Sequence, residues 1–347
     1  MSAAPYFLAA LGLAVLMVVH ESGHYFAARK FGMRVIKFSI GFGPTLLKHQ
    51  PKGSPTVYQI AIIPFLAYVQ IAGMNPFEEN DPKDKGNYSN ASLWARVVTI
   101  AGGPLANYFF ASVLFFIGFM IGGRLNVEET SMRVMVGPGG AAQAADIREG
   151  DKILAINSEQ VHTWEDLKLF VGRHPGEEID VLVERAGEQL HRHPTPAPKG
   201  EKYSGKIQVG PYFTVVKVGV AEAAWLSVSE PPKVVYNLVK GLARLITGKE
   251  KAELSGPVGI VRETAAQVKS GAGDTFKFLG ALSAYLGGFN LLPIPALDGG
   301  RLLFLGFEAA SRRKPDAKVE AQVHAIGLLM MLTLIAVVTW TETVGKW

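Results

Sequence analysis

Val19-His20-Glu21-Ser22-Gly23-His24-Tyr25-Phe26 sits inside an apolar run that extends from about Pro5 to Ala28. Residues four apart share one face of a helix, so His20 and His24 can grip one metal ion from the same side. Glu21, beside the first histidine, can then take the proton of an attacking water. The same HExxH spacing in a soluble helix is a zinc-hydrolase signature. Within about twenty apolar residues, enough to span the hydrocarbon layer, it points to hydrolysis inside a membrane.

Ionisable groups are costly in hydrocarbon, and three of them within five positions need partners that a zinc ion supplies. A catalytic zinc takes three protein ligands and keeps one position open. Asp298, in Asn290-Leu-Leu-Pro-Ile-Pro-Ala-Leu-Asp298-Gly-Gly300, is the third candidate. Taken alone, Leu297-Asp298-Gly299-Gly300 reads equally as a turn with a solvated carboxylate. The chain has no cysteine, which excludes thiolate ligands and disulfides, and a nitrogen and oxygen donor set suits Zn²⁺.

At 347 residues the chain has room for two or three units. A mean hydropathy of +0.20 fits a membrane protein with a soluble insertion. Four segments are expected to span a bilayer: Pro5–Ala28, a stretch within Val97–Gly123, one between Phe278 and Leu297, and Gln322–Thr341. Arg29, Lys30, Arg34 and Lys37 follow the first span. Arg301, Arg312, Arg313, Lys314 and Lys318 lie between the third and fourth. Both loops are therefore expected in the cytoplasm. His24 stands five residues before Arg29 and Asp298 three before Arg301, so the two motifs fall at similar depth near the cytoplasmic face. The net charge of +5 comes with no basic run or recognition motif, so juxtamembrane loops explain it better than nucleic acid does. No Lys or Arg precedes the first apolar run and no clear cleavage site follows it, so the segment is expected to be retained.

The fold class expected is a polytopic α-helical membrane protein of about four transmembrane helices. It carries a membrane-associated β-hairpin and an inserted extracytoplasmic α+β domain. Residues 1–124 hold the first two spans, HExxH and a re-entrant hairpin at about 45–72. Within that hairpin, Thr56–Ile63 and Ala67–Ile71 read as strands and Lys52-Gly-Ser-Pro55 as a turn. It is too apolar for a free loop, and sheet edges at membrane depth need a covering cavity. Residues 125–215 alternate short helices and strands and look like a PDZ domain of the bacterial type. Residues 216–276 form a linker whose Val234, Val235, Leu238, Val239 and Leu242 suggest an amphipathic helix, lying on the membrane or packed on the soluble domain. Residues 277–347 hold spans three and four and the third zinc ligand.

Other polar groups near the motifs leave two readings open. Pro293 and Pro295 prevent a regular helix, which suits unwound backbone lining a cavity. Asn290 can orient substrate or stabilise an oxyanion, or can be a packing amide. Asn107, in Gly102-Gly-Pro-Leu-Ala-Asn107, can contact substrate or bond across helices. His324 reads as an interface marker, and His162, His174, His191 and His193 as surface residues.

Together these pieces resemble the site-2 protease family of intramembrane zinc metalloproteases, in particular the bacterial regulator-of-sigma-E-protease type. The resemblance rests on His20–His24, Phe38-Ser-Ile-Gly-Phe-Gly-Pro44, Gly103-Pro-Leu-Ala-Asn107, Leu254-Ser-Gly-Pro-Val-Gly259 and Asn290–Gly300, in the family's order. It implies one Zn²⁺ held by His20, His24 and Asp298, with Glu21 as general base. It implies cleavage of single-pass transmembrane substrates already shortened by another protease, such as an anti-sigma factor or signal-peptide remnants. It also implies a location in the bacterial cytoplasmic membrane, with the PDZ unit outside restricting access. A substrate strand would lie along the hairpin near Tyr68 or along the Pro293–Leu297 backbone. Oligomeric state is left open. Two departures stand out: one PDZ unit where many relatives carry two, and Leu66-Ala67-Tyr68-Val69 where relatives often read Gly-Gly-Tyr-Val. A non-enzymatic alternative, a PDZ scaffold or zinc carrier, would need a polar track or a fourth ligand, and neither is visible.

Overall fold

The computed structural model describes residues 3–75, 81, 83–128, 130–198, 205–248 and 256–344. The chain forms two units, Met1–Gly122 with Val218–Trp347, and Gly123–Lys217.

The first unit opens with helix α1 (Ala4–Lys30), which has a proline in its first turn and Arg29 and Lys30 in its last. Both ends suit the helix, since proline lacks the N–H that would go unpaired and cations favour the carbonyl end. Strands β1 (Val35–His49) and β2 (Val57–Ile71) follow and pair antiparallel overall. The hairpin therefore starts about ten residues earlier than the sequence suggests. The glycine-rich Phe38–Pro44 stretch, which precedes the expected hairpin, belongs to β1. Gly41 and Gly43 take φ of 96° and 92°, values that L side chains avoid, and bend β1 in mid-strand. A Cβ at Gly41 would come within 2.8 Å of the Ala61 and Ile63 carbonyls. The bend lets the first half of β1 be paired along both edges. Lys37, Phe38, Ser39 and Ile40 face Gln70, Val69, Tyr68 and Ala67 on one side and Val57, Tyr58, Gln59 and Ile60 on the other. Helix α2 (Leu93–Gly122) then runs for 30 residues.

The second unit begins with β3 (Arg124–Val127) and β4 (Val134–Val136), then helix α3 (Ala141–Ala144). Strands β5 (Lys152–Ile156) and β6 (Glu159–Gln160) lead to helix α4 (Trp164–Gly172). Thr163 and Asp166 form a reciprocal capping box at its start. Strands β7 (Val181–Arg185), β8 (Glu188–Arg192), β9 (Val209–Pro211) and β10 (Phe213–Val216) complete it. The main sheet has the order β6-β5-β7-β8, and β3–β10 and β4–β9 form two further ribbons. Val134, Ile147, Ile153, Leu167, Val181, Val183 and Ile207 fill one core.

Back in the first unit, α5 (Val220–Ile246) is a single 27-residue helix. Ala223, Leu226 and Val234 of this helix pack with Phe115 and Phe119 of α2 and with Ala284. Helix α6 (Pro257–Ser270) starts after Gly256, whose N–H donates to Glu342 Oε1 at 2.7 Å. Leu254 and Ser255 of the motif before it lie outside the described residues. Helix α7 (Ala272–Asn290) ends eight residues before Asp298, which opens α8 (Asp298–Ser311). Helix α9 (Ala317–Thr343) closes the chain.

Among the described residues three helices, α1, α2 and α9, are long and apolar enough to cross a membrane. The apolar stretch from Phe278 to Leu297 is not one helix, because Pro293 and Pro295 break it after Asn290.

Candidate active site

The geometry begins with the approach of α1 to α2. A Cβ at Gly23 would run into the Gly102 carbonyl, and one at Gly102 would meet the Gly23 carbonyl at 2.7 Å and Ala27 Cβ at 3.1 Å. The two backbones therefore touch, as small residues permit between helices. One residue on, Gly103 leaves room for the His24 ring, which any side chain there would strike. His20 and His24 are 6% and 9% exposed on this face.

Asp298 reaches the same point from α8. The turn before it is tight: Ile294 N–H donates to Leu292 O at 2.7 Å and Leu297 N–H to Ile294 O at 3.2 Å. Ala296 sits at φ 73°, where a non-glycine residue is strained. Helix α9 braces this turn. The Ala296 N–H donates to His324 Nδ1 at 2.9 Å, and Gly327 lets Pro295 lie against the α9 backbone. Gly299 and Gly300 are needed too, since a Cβ on either would collide with the Leu292 or Ile294 carbonyl.

Three donor atoms converge. His20 Nε2 lies 3.2 Å and His24 Nε2 3.4 Å from Asp298 Oδ2, and the two Nε2 atoms are 3.2 Å apart. Donors held tetrahedrally at roughly 2.0–2.1 Å from a zinc ion stand roughly 3.3 Å from one another. The edges of the triangle match that spacing, and Asp298 Oδ2 is buried with no hydrogen-bond partner. These three are the only His, Asp and Glu cluster of metal-binding geometry among the described residues. Both rings are also anchored from behind by α2: His24 Nδ1 lies 2.9 Å from the Thr99 carbonyl and His20 Nδ1 3.2 Å from Asn107 Nδ2.

Glu21 stands within the electrostatic reach of His20, His24 and Asp298, with the backbone of Val69 in β2 nearby. Beside it opens a cavity of about 570 Å³, lined among others by Tyr68, Val69, Arg301, Glu308, Glu320 and His324. Across it Arg96 donates to both oxygens of Glu308, at 2.9 and 2.5 Å, and so ties α2 to α8.

The other sequence candidates contribute no atom to the donor triangle. Asn290, the last residue of α7, donates from Nδ2 to the Leu286 carbonyl at 2.9 Å. Tyr68 pairs with Ser39 in the sheet and accepts from Gln59 Nε2 at 3.3 Å. Pro293 and Pro295 shape the turn before Asp298. Asn107 faces the back of His20. Sequence reasoning passed over Thr99 and the Arg96–Glu308 pair, which carry no motif; it placed Gly103 in a small-residue motif without the ring it makes room for. It also read His324 as an interface marker, although an ionisable group at the head of an apolar helix was the signal that it has a partner.

The sequence profile of Peptidase family M50 matches residues 8–334. A protein of Agrobacterium fabrum that carries a zinc metalloprotease name is 32% identical over 360 residues, covering 96% of this chain and 93% of the relative. The regulator of sigma-W protease RasP of Bacillus subtilis is 30% identical, covering 94% of this chain and 95% of its own. The zinc metalloprotease RasP of Geobacillus kaustophilus is 30% identical with 94% of each chain covered.

Proposed function

The chain belongs to peptidase family M50 and is an intramembrane zinc metalloprotease, and from that premise we propose that it hydrolyses peptide bonds within transmembrane segments of single-pass proteins. In this reading His20, His24 and Asp298 hold the zinc and Glu21 is the general base. The observation that carries it is the donor triangle of 3.2, 3.2 and 3.4 Å on the buried face of an apolar helix.

Zinc, when bound, supplies Lewis acidity to the water and the scissile carbonyl. Glu21, beside the donor triangle, takes the proton of the attacking water and returns one to the leaving amine. A helical peptide bond is shielded, so the substrate must unwind before it can react. An extended substrate strand would lie along β2 near Tyr68 or along the Pro293–Leu297 backbone. Asn290 spends one amide N–H on Leu286, and its second can meet the developing oxyanion.

The wider assignment follows the same reading. Exposed Phe42, Leu46, Leu47, Ile62 and Ile63 suit a hairpin dipping into lipid. Helix α7, with 19 residues, serves as a fourth span. The loops carrying Arg29 to Lys37 and Arg312 to Lys318 lie in the cytoplasm, with the active site near that side. The Gly123–Lys217 unit is PDZ-like, lies outside the bacterial cytoplasmic membrane and limits access to substrates already cut by another protease. The relative named for regulating sigma-W favours a membrane-bound regulator as one substrate class.

The test is cleavage of a tagged single-pass helix by purified protein in detergent, beside Asp298→Ala with zinc content measured. The reading expects cutting by wild type, and loss of both zinc and cutting in the variant. Undiminished zinc in Asp298→Ala would remove Asp298 from the ligand set.

A further inference from the structure

Asn107 is fully buried, at 0% exposure, and its side chain meets the back of His20. Its two polar ends are in very different positions. Nδ2 lies 3.2 Å from His20 Nδ1, whereas Oδ1 is buried with no partner among the described residues. Its backbone carbonyl is separately used, accepting from Ser283 Oγ at 2.8 Å, so α7 is held whichever way the side chain turns.

The ring of His20 constrains that turn. A neutral imidazole has one N–H and one lone pair. If Nδ2 donates to Nδ1, then Nδ1 is the acceptor and the proton sits on Nε2. Nε2 is the atom that faces Asp298 and His24, at 3.2 Å from each. A protonated Nε2 has no lone pair for a metal. Ligation through Nε2 requires the proton on Nδ1, and Nδ1–H then needs an acceptor. The carboxamide is nearly symmetric in shape, so hydrogen bonding decides its orientation. A half-turn about its last torsion brings the orphaned Oδ1 to Nδ1–H.

His24 shows the same arrangement with a group that cannot turn. Its Nδ1 lies 2.9 Å from the Thr99 carbonyl, a pure acceptor, so in the neutral ring the proton sits on Nδ1 and the Nε2 lone pair faces Asp298. Thr99 and Asn107 lie eight residues apart on α2, close to two helical turns, and so come to the same face.

We propose that Asn107 is a positioning residue of the zinc site: in the loaded protein its Oδ1 accepts from His20 Nδ1–H and so selects the tautomer whose Nε2 binds metal. This assigns it away from substrate. The inference rests on His20 being a zinc ligand. Partners of this kind orient the ring and raise its basicity, and their loss weakens metal binding by about 10- to 100-fold.

The test uses the purified full chain in detergent, with zinc affinity read by competition against a chelator and with thermal unfolding of the metal-free protein alongside. Asn107→Leu keeps the volume and removes the acceptor. Asn107→Asp keeps an acceptor in place and removes every donor. The proposal expects about 10- to 100-fold weaker zinc in Asn107→Leu, and affinity at or above wild type in Asn107→Asp. It is overturned if Asn107→Leu binds as wild type does, or if Asn107→Asp weakens zinc, which would mean the amide acts as a donor. Should Asn107→Leu fail to fold, Asn107→Asp decides alone. Failure of the underlying reading looks different: His20→Ala would then leave zinc affinity unchanged.

Discussion

His324 accepts the backbone N–H of Ala296 at 2.9 Å, two residues before Asp298. The last span thereby holds the turn that carries Asp298, the proposed acidic ligand, with Ala296 kept at its strained φ of 73°. Strain of this kind persists only where surrounding contacts over-determine it. We predict that His324→Leu relaxes the turn and weakens zinc retention about tenfold, the low end of the usual cost of losing an outer partner. Chelator competition measures it, and wild-type retention would show that α9 does not support the site.

Gly103 is the floor under the His24 ring. Any Cβ there would overlap the ring atoms, so Gly103→Ala must push the ring off the donor triangle or part α1 from α2. The expected outcome is loss of zinc and of cleavage with most secondary structure retained. Circular dichroism beside zinc content checks it, and a zinc-replete, active Gly103→Ala would contradict the close packing.

Arg96 and Glu308 form a two-pronged pair with side chains only 8% and 11% exposed. Breaking such a pair from one side strands a charge and costs about 3–5 kcal/mol, whereas replacing both ends by apolar groups is often near neutral. Arg96→Met should therefore destabilise strongly, and Arg96→Met with Glu308→Leu should recover most of the loss. Equilibrium unfolding in detergent gives the comparison. A double variant as weak as the single one would mean that the pair has a further role.

In the Gly123–Lys217 unit, Asp151 is buried between Arg185, which donates to both its oxygens at 2.8 Å, and the Arg148 N–H at 2.8 Å. Burial alone would raise its pKa, but these donors together hold it below the ordinary carboxylate value. A depressed folded value adds stability that is present above the unfolded pKa, about 3.9, and is lost as pH falls through the folded one. Hydrogen exchange across β5 and β7, corrected for intrinsic rates, should show constant protection from neutral pH to about 5 and loss below about 4. Asp151→Asn should lower protection at neutral pH by about 2 kcal/mol and remove this acid step. An unchanged acid step in the variant would assign it elsewhere.

The chemistry was legible because zinc ligation demands particular residue types at particular spacing. His20, Glu21 and His24 carry that demand in five residues, and Asp298 stood out at matching depth. What was not legible was whatever depends on neighbours distant in sequence. Gly41 and Gly43 fall before the expected hairpin, yet they bend a strand whose partners lie 9 to 36 residues on. The break at Pro293 and Pro295 was legible, but not that a new helix, α8, starts at Asp298 itself. Thr99 acts through its carbonyl, which leaves no mark that a single sequence can show, and Gly103, although part of a legible motif, gives no sign of the ring it makes room for. His324 left one, an ionisable group at the head of an apolar helix, but its partner is a backbone amide 28 residues earlier.

The central claim is that Glu21 moves the proton while His20, His24 and Asp298 hold the metal. The most direct measurement is zinc content and cleavage of a tagged transmembrane helix by purified Glu21→Gln beside wild type. The account predicts equal zinc in both proteins and cutting by wild type alone. Cleavage by Glu21→Gln at the wild-type rate would contradict it and send the search for the base elsewhere in the site.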